Sequence, residues 1–178
     1  MYGLIHRYLK DHIIENAGDA VWREIVSELH ISPVDLVSQE VYDDTLTFEL
    51  VEVASRKLGQ PISDCLHGFG RFWISQVSKN VYRAIMDFTG RDLVTFLKNL
   101  DRMHHSVAAA MPKARLPSFS LVEESAERLV IRYRSERSGL EPFVSGLLEG
   151  LLDRFDIDGT VERLDAKGAS AYFLIDLQ

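Results

Sequence analysis

A single cysteine, Cys65, is the entire thiol complement of this chain of 178 residues. No disulfide can form within it, and no cysteine cluster can build a structural zinc site, so a reducing compartment, the cytoplasm, is the expected setting. Positive charge is also scarce. Twenty Lys and Arg face twenty-seven Asp and Glu, a formal charge of -7, which repels phosphate backbones and anionic lipid surfaces and argues against nucleic-acid binding. Long hydrophobic runs are missing as well. The richest apolar stretch, Leu147 to Leu152, is broken by Glu149 and Gly150 and falls far short of the ~20 residues a membrane span needs. The start, Met-Tyr-Gly-Leu-Ile-His-Arg-Tyr-Leu-Lys, has no apolar core of signal-peptide length. The expectation is a soluble protein with no export signal and no membrane association.

What is present suits a folded domain. Apolar residues make up 46% and charged residues 26%, and a chain of this length buries roughly two-thirds of its unfolded surface. Helical spacing of Leu4, Ile5, Tyr8, Leu9 and Ile13 predicts a helix over 2–16, stopped by Gly18. A second helix is predicted over 19–29, with Asp19 as a possible cap, and Ser32-Pro33 opens a new segment. Residues 43–53 read both ways, since Thr45, Thr47 and Phe48 suit a strand while Leu46, Leu50 and Val53 lie at helical spacing. Helix is the preferred reading. Further helices are predicted over 62–77 and 81–88, and Gly90 and Asp92 open another that runs to Met111. Beyond Pro112 the pattern changes. Residues 118–121, 129–134, 160–164 and 170–177 alternate like strands, 139–155 reads as an apolar helix, and Lys167-Gly168 is the expected turn between the last two strands. The fold class is therefore α+β: a helical N-terminal part, about 1–112, followed by a small antiparallel sheet with an embedded helix, about 113–178, in one domain.

Two places carry chemistry. On the helix that begins at Asp92, the residues Leu93, Leu97, Leu100, His104, Val107 and Met111 share one face, so His104 points inward. His105 aligns with Lys98, Asp101 and Arg102 on the polar side. An inward histidine can be a metal ligand, and it can equally be a core residue satisfied by a hydrogen bond. About thirty residues on, Tyr133, Ser135 and Arg137 alternate on a predicted strand and would present a phenol, a hydroxyl and a guanidinium on one face. Such a row can hold paired carboxylates, and it can equally be a solvated sheet face. Together, an inward imidazole and three donors for carboxylates fit the iron and the propionates of a heme.

The same residues, with their surroundings, resemble the heme nitric oxide/oxygen binding (H-NOX) domains, a family related to the heme domain of soluble guanylate cyclase. The resemblance runs from Met1-Tyr2-Gly3-Leu4-Ile5 through Trp22, Gly68-Phe69-Gly70-Arg71-Phe72-Trp73, Leu100-Asp101-Arg102-Met103-His104 and Leu116-Pro117-Ser118-Phe119. It continues through Tyr133 to Arg137, Gly139-Leu140 and Gly146-Leu147-Leu148. It implies heme b (iron protoporphyrin IX) buried between the helical and sheet parts. His104 then becomes the proximal iron ligand, Tyr133, Ser135 and Arg137 the propionate clamp, and Pro117 and Ile5 contacts to the porphyrin. Phe143 falls where oxygen-binding members carry a tyrosine donor, with Trp73 and Leu9 at the supporting positions. A hydrogen bond to a charged group contributes ~1.5–3 kcal/mol, which oxygen needs more than nitric oxide does. Phe143 cannot donate, so the resemblance implies a sensor of nitric oxide and carbon monoxide that excludes oxygen. It further implies a switch read by a separate partner, a histidine kinase or a diguanylate cyclase, and no enzymatic activity in this chain. The cysteine-rich zinc site of some relatives is missing, with Cys65 alone. Two other readings stay open: a heme-free interaction or lipid-binding module, and a heme enzyme drawing on His12 or His67.

Overall fold

The computed structural model describes residues 1–32, 36–79, 82–167 and 170–178. These form seven helices, α1 (Gly3–Ala17), α2 (Asp19–Glu28), α3 (Asp44–Leu58), α4 (Ile62–Val77), α5 (Arg83–Thr89), α6 (Leu93–Ala110) and α7 (Glu141–Phe155). Four strands accompany them, β1 (Ser118–Glu124), β2 (Arg128–Arg134), β3 (Gly159–Lys167) and β4 (Ser170–Leu177). The fold is α+β, and helices give way to strands between Ala110 and Ser118, where the sequence pattern changes. The chain divides into two compact units, Met1–Phe69 and Gly70–Gln178, with the division inside α4. Pro33, Val81 and Gly168, named above at a segment start, a helix start and a turn, lie outside the described residues.

In the first unit, α1, α2 and α3 pack on one another around Tyr8, Leu9, Ile13, Trp22, Ile25, Leu50 and Val53, all buried. The ambiguous segment is helical because its ends are specified. Asp43 accepts from the Thr45 N–H at 2.8 Å, and Gly59 closes the helix in the left-handed region at φ 64°. At α2 the expectation fails in detail. Asp19 is the first helical residue rather than the cap, the cap position belongs to Gly18 with no side-chain bond, and the Asp19 carboxylate instead pairs with Arg23 at 2.5 Å. An acid in the first turn still favours the positive end of the helix.

In the second unit the sheet order is β1-β2-β4-β3, all antiparallel. One sheet face supplies Phe119, Leu129, Ile131, Tyr133, Phe173 and Ile175 to a core shared with Leu93, Phe96, Leu97 and Leu100 of α6 and Val144, Leu148, Leu151 and Leu152 of α7. Each large apolar side chain so enclosed contributes ~1.5–3 kcal/mol relative to exposure, so α6 is held chiefly by its first half. The Asp92 side chain caps that half, accepting from the Thr95 N–H at 2.8 Å. Among the described residues no helix is long and apolar enough to cross a membrane.

One polar residue in the first unit sets an acid limit. His6 is 0% exposed, its Nε2 lies 2.7 Å from Thr47 Oγ1, and its Nδ1 is buried with no partner. Burial, reinforced by the nearby N-terminal ammonium and opposed by Asp44, pushes its pKa down to about 4. Between its ordinary value and 4 the unfolded chain binds a proton that the folded chain does not, so folding weakens as pH falls through that window. At ~1.4 kcal/mol per unit the loss is about 3 kcal/mol. Urea unfolding at pH 7 and pH 4.5 should show it, and His6→Gln should flatten the difference. An equally steep pH dependence in the variant would assign the effect to other groups.

Candidate functional site

His104 lies in the second half of α6, half-buried, with its ring edge-on to Phe119 at 5.7 Å. Its Nδ1 is 2.9 Å from the carbonyl oxygen of Pro117. A carbonyl can only accept, so Nδ1 carries the proton and Nε2 keeps a lone pair. Burial lowers the pKa of this imidazole, with the Pro117 bond and the Asp101 charge working against that shift. The neutral ring is thus a ready nitrogen ligand. His105 is exposed, as its position on the polar side predicts, and its Nδ1–H donates to the Asp101 carbonyl at 2.6 Å.

Asp101 departs from expectation. It does not face solvent with Lys98 and Arg102. Its Oδ1 accepts from the Phe119 N–H at 2.6 Å and its Oδ2 from the Ser118 hydroxyl at 2.9 Å. One turn before His104, this carboxylate fixes the two residues that follow Pro117, and so the carbonyl that His104 uses. No local pattern marks this role, since Asp101 shares the helical angle of Lys98 and Arg102 and its two partners lie 17 and 18 residues further on.

The donor row also needs correction. β2 ends at Arg134, so Ser135 and Arg137 lie in the connection to α7 and not on a strand face. The reason is local. Ser118 pairs with Arg134, and the next residue of that chain, Pro117, has no N–H with which to extend the ladder. Past that point the Ser135 hydroxyl captures the Arg137 N–H at 3.0 Å, a side-chain bond that competes with strand pairing. The three donors still cluster. Tyr133 is 4% exposed, and burial raises the pKa of its phenol while a hydrogen bond with Ser135 and the Arg137 charge oppose the rise. Tyr133 is therefore not part of a solvated face. Arg137 Nη1 donates to the Arg115 carbonyl at 2.6 Å. Glu141, at the start of α7, adds a negative charge felt by Tyr133 and lies 3.9 Å from Arg163.

Trp73 on α4 and Phe143 on α7 belong to the same unit, where the backbones of their two helices touch. A Cβ on Gly70 would sit 2.2 Å from the Phe143 carbonyl oxygen and 2.7 Å from the Leu147 nitrogen. Arg71 closes the same crossing with Asp153 at 2.6 Å. Trp73 packs against the sheet-and-helix core. Leu9, buried, and Ile5, half-buried, are residues of α1 in the first unit. His12 and His67 are there too. His12 Nδ1 accepts from Asn16 Nδ2 at 3.1 Å, and its ring lies 6.0 Å from Phe69.

These observations meet the comparisons with known proteins. The chain belongs to the haem-NO-binding family, whose model it matches over residues 2–163. Soluble guanylate cyclase 89Da of Drosophila melanogaster is 26% identical over 155 residues, covering 87% of this chain and 23% of that protein. Soluble guanylate cyclase gcy-33 of Caenorhabditis elegans is 28% identical over 180 residues, 99% of this chain and 19% of that one. The chain thus spans about a quarter or less of the length of these relatives. Among solved structures, an H-NOX protein from S. oneidensis in the Fe(II)NO ligation state is similar with a TM-score of 0.87 at 23% identity, covering 100% of this chain and 99% of that one. An oxygen-binding H-NOX domain related to soluble guanylate cyclases, as its oxygen complex, gives 0.83 at 22%, with 100% and 95% covered. These likenesses establish the H-NOX fold.

The family binds heme, and the donor set here suits that group. A neutral imidazole with Nε2 unbonded could ligate the iron of that group, and a phenol, a hydroxyl and a guanidinium could hold its two carboxylates. The glycine crossing gives the first test in this unit. Gly70→Ala must push α4 off α7, at a cost of about 1–3 kcal/mol. Thermal unfolding of the variant should begin several degrees below that of the parent, and an unchanged midpoint would mean that the backbones do not meet there.

Proposed function

We propose that this chain is a heme-based gas sensor that takes nitric oxide and carbon monoxide at ferrous heme b and excludes oxygen. The observation that carries the reading is the state of His104: neutral, with Nδ1–H committed to the Pro117 carbonyl and Nε2 without a hydrogen bond among the described residues. Bound heme supplies an iron that takes diatomic gases. In this reading His104 is the proximal ligand, and its tautomer and orientation are set by the carbonyl behind it. Tyr133, Ser135 and Arg137 hold the propionates. Pro117 and Ile5 press on the macrocycle. Phe143, Trp73 and Leu9 form the distal wall, where Phe143 presents a ring with no donor, so a polar gas ligand gains no hydrogen bond from it.

The chain itself performs no reaction in this reading. A sensor must bind its partner differently in two states, and a coupling of ~1–3 kcal/mol suffices for a fivefold to 150-fold effect. The relatives named above are cyclases several times longer than this chain. Here the proposed reader is a separate protein, a histidine kinase or a diguanylate cyclase, in the cytoplasm.

Absorption spectra test the reading directly. The purified, dithionite-reduced protein should carry a Soret band that shifts with nitric oxide and stays unchanged in air, and His104→Gly should lose the heme or retain it only with added imidazole, while His105→Gly behaves as the parent. A protein that never acquires a Soret band when supplied with heme would sink the proposal. Phe143→Tyr should raise oxygen affinity roughly tenfold to a hundredfold, the worth of one hydrogen bond to a charged acceptor. A variant that still ignores oxygen would remove Phe143 from the distal wall.

A further inference from the structure

The five residues from Arg115 to Phe119 are held from three directions. Arg137 Nη1 donates to the Arg115 carbonyl at 2.6 Å, His104 Nδ1–H donates to the Pro117 carbonyl at 2.9 Å, and Asp101 accepts from Ser118 Oγ and the Phe119 N–H. Between the Arg115 and Pro117 carbonyls lie only Leu116 and the proline, whose ring fixes one of the few torsions in that stretch. The Pro117 oxygen therefore cannot shift far without disturbing either the Arg137 bond or the Asp101 pair. The Arg115 side chain adds little to this hold. Its ion pair with Glu136 spans 3.5 Å with both side chains more than 70% exposed.

We propose that Arg137 is a positioning residue for His104, acting through the backbone from Arg115 to Pro117. This rests on the heme reading above and adds to it: one guanidinium serves both grips. The guanidinium has five N–H donors in a planar fork, so a bond from Nη1 to a carbonyl is compatible with a carboxylate at another edge. The Arg115 bond is charge-assisted and short. By fixing where the Pro117 oxygen sits, it sets how strongly that oxygen draws on Nδ1–H. A stronger bond there leaves more electron density on Nε2, the nitrogen that would face the iron. The hold on the cofactor's carboxylates and the donor strength of the axial ligand are thus linked through three residues of main chain.

The link is separable from simple carboxylate binding. The full chain, reduced and loaded either with heme or with heme dimethyl ester, whose propionates cannot pair with a cation, is compared by resonance Raman spectroscopy at the iron–histidine stretching band. Arg137→Gln should move that band to lower frequency with both cofactors. Ser118→Ala, which removes one of the two bonds to the Asp101 carboxylate and lies outside the proposed propionate clamp, should move it the same way at unchanged heme loading. If Arg137 serves the propionates alone, Arg137→Gln leaves the band of the ester-loaded protein where the parent has it, and that outcome overturns the proposal. Arg137→Lys, which keeps the charge but not the fork, gives the same readout should the glutamine variant fail to accumulate, with a smaller downshift expected and an unshifted band again decisive. A parent protein without any Soret band would remove the heme reading itself, an outcome distinct from an unshifted band.

Discussion

The hydrogen bond from His104 Nδ1–H to the Pro117 carbonyl settles several things at once. It fixes the tautomer, so that the lone pair belongs to Nε2. It joins the second half of α6, which has few buried apolar contacts of its own, to the start of β1. It also uses the carbonyl of the one residue whose missing N–H ends the β1–β2 ladder. A metal-ready imidazole, a helix end and a strand end therefore share one oxygen atom. Asp101 supports this arrangement from one turn away, and without it two strand N–H and hydroxyl donors beside that oxygen would lack their acceptor.

Much of this was legible in the sequence because periodicity and capping signals agree with tertiary packing. Ile62–Val77 and Ser170–Leu177 match their expected bounds; for the helix, apolar spacing, a preceding Pro61 and the polar Ser78 and Lys79 after it coincide. The 43–53 segment was ambiguous because β-branched residues occupy a helix whose start is dictated by Asp43. The caps at its two ends, not the propensities of its interior residues, decide the outcome. The inward turn of His104 was readable from its place in the Leu93 to Met111 stripe, though its half-buried state was not.

What was not legible depended on main-chain atoms or on residues far apart in the chain. Alternation suggested that Ser135 and Arg137 extend the strand of Tyr133, but the register of β1 places a proline opposite that extension, and no local pattern reveals a register. The cluster nonetheless survives, because the Ser135 side chain folds the backbone back onto itself. The partner of Arg137, the carbonyl of Arg115, has no signature in sequence, since every residue carries that atom. The helical angle of Asp101 matches that of Lys98 and Arg102 and points to the solvated side. The Ser118 hydroxyl and the Phe119 N–H lie against that side of α6, and only the packed structure brings them there.

The crossing of α4 and α7 carries a different sort of consequence. At Gly70 the spacing of the two helices is set by main chain resting on main chain, an arrangement independent of what Trp73 and Phe143 happen to be. Side chains that take no part in the contact can be exchanged without altering the gap between the helices. A scaffold of this kind separates shape from chemistry: its dimensions are inherited from Gly70 and the backbone it rests on, while the character of the wall is rewritten one residue at a time. Divergence in what such domains bind would then proceed with few compensating changes elsewhere in the chain.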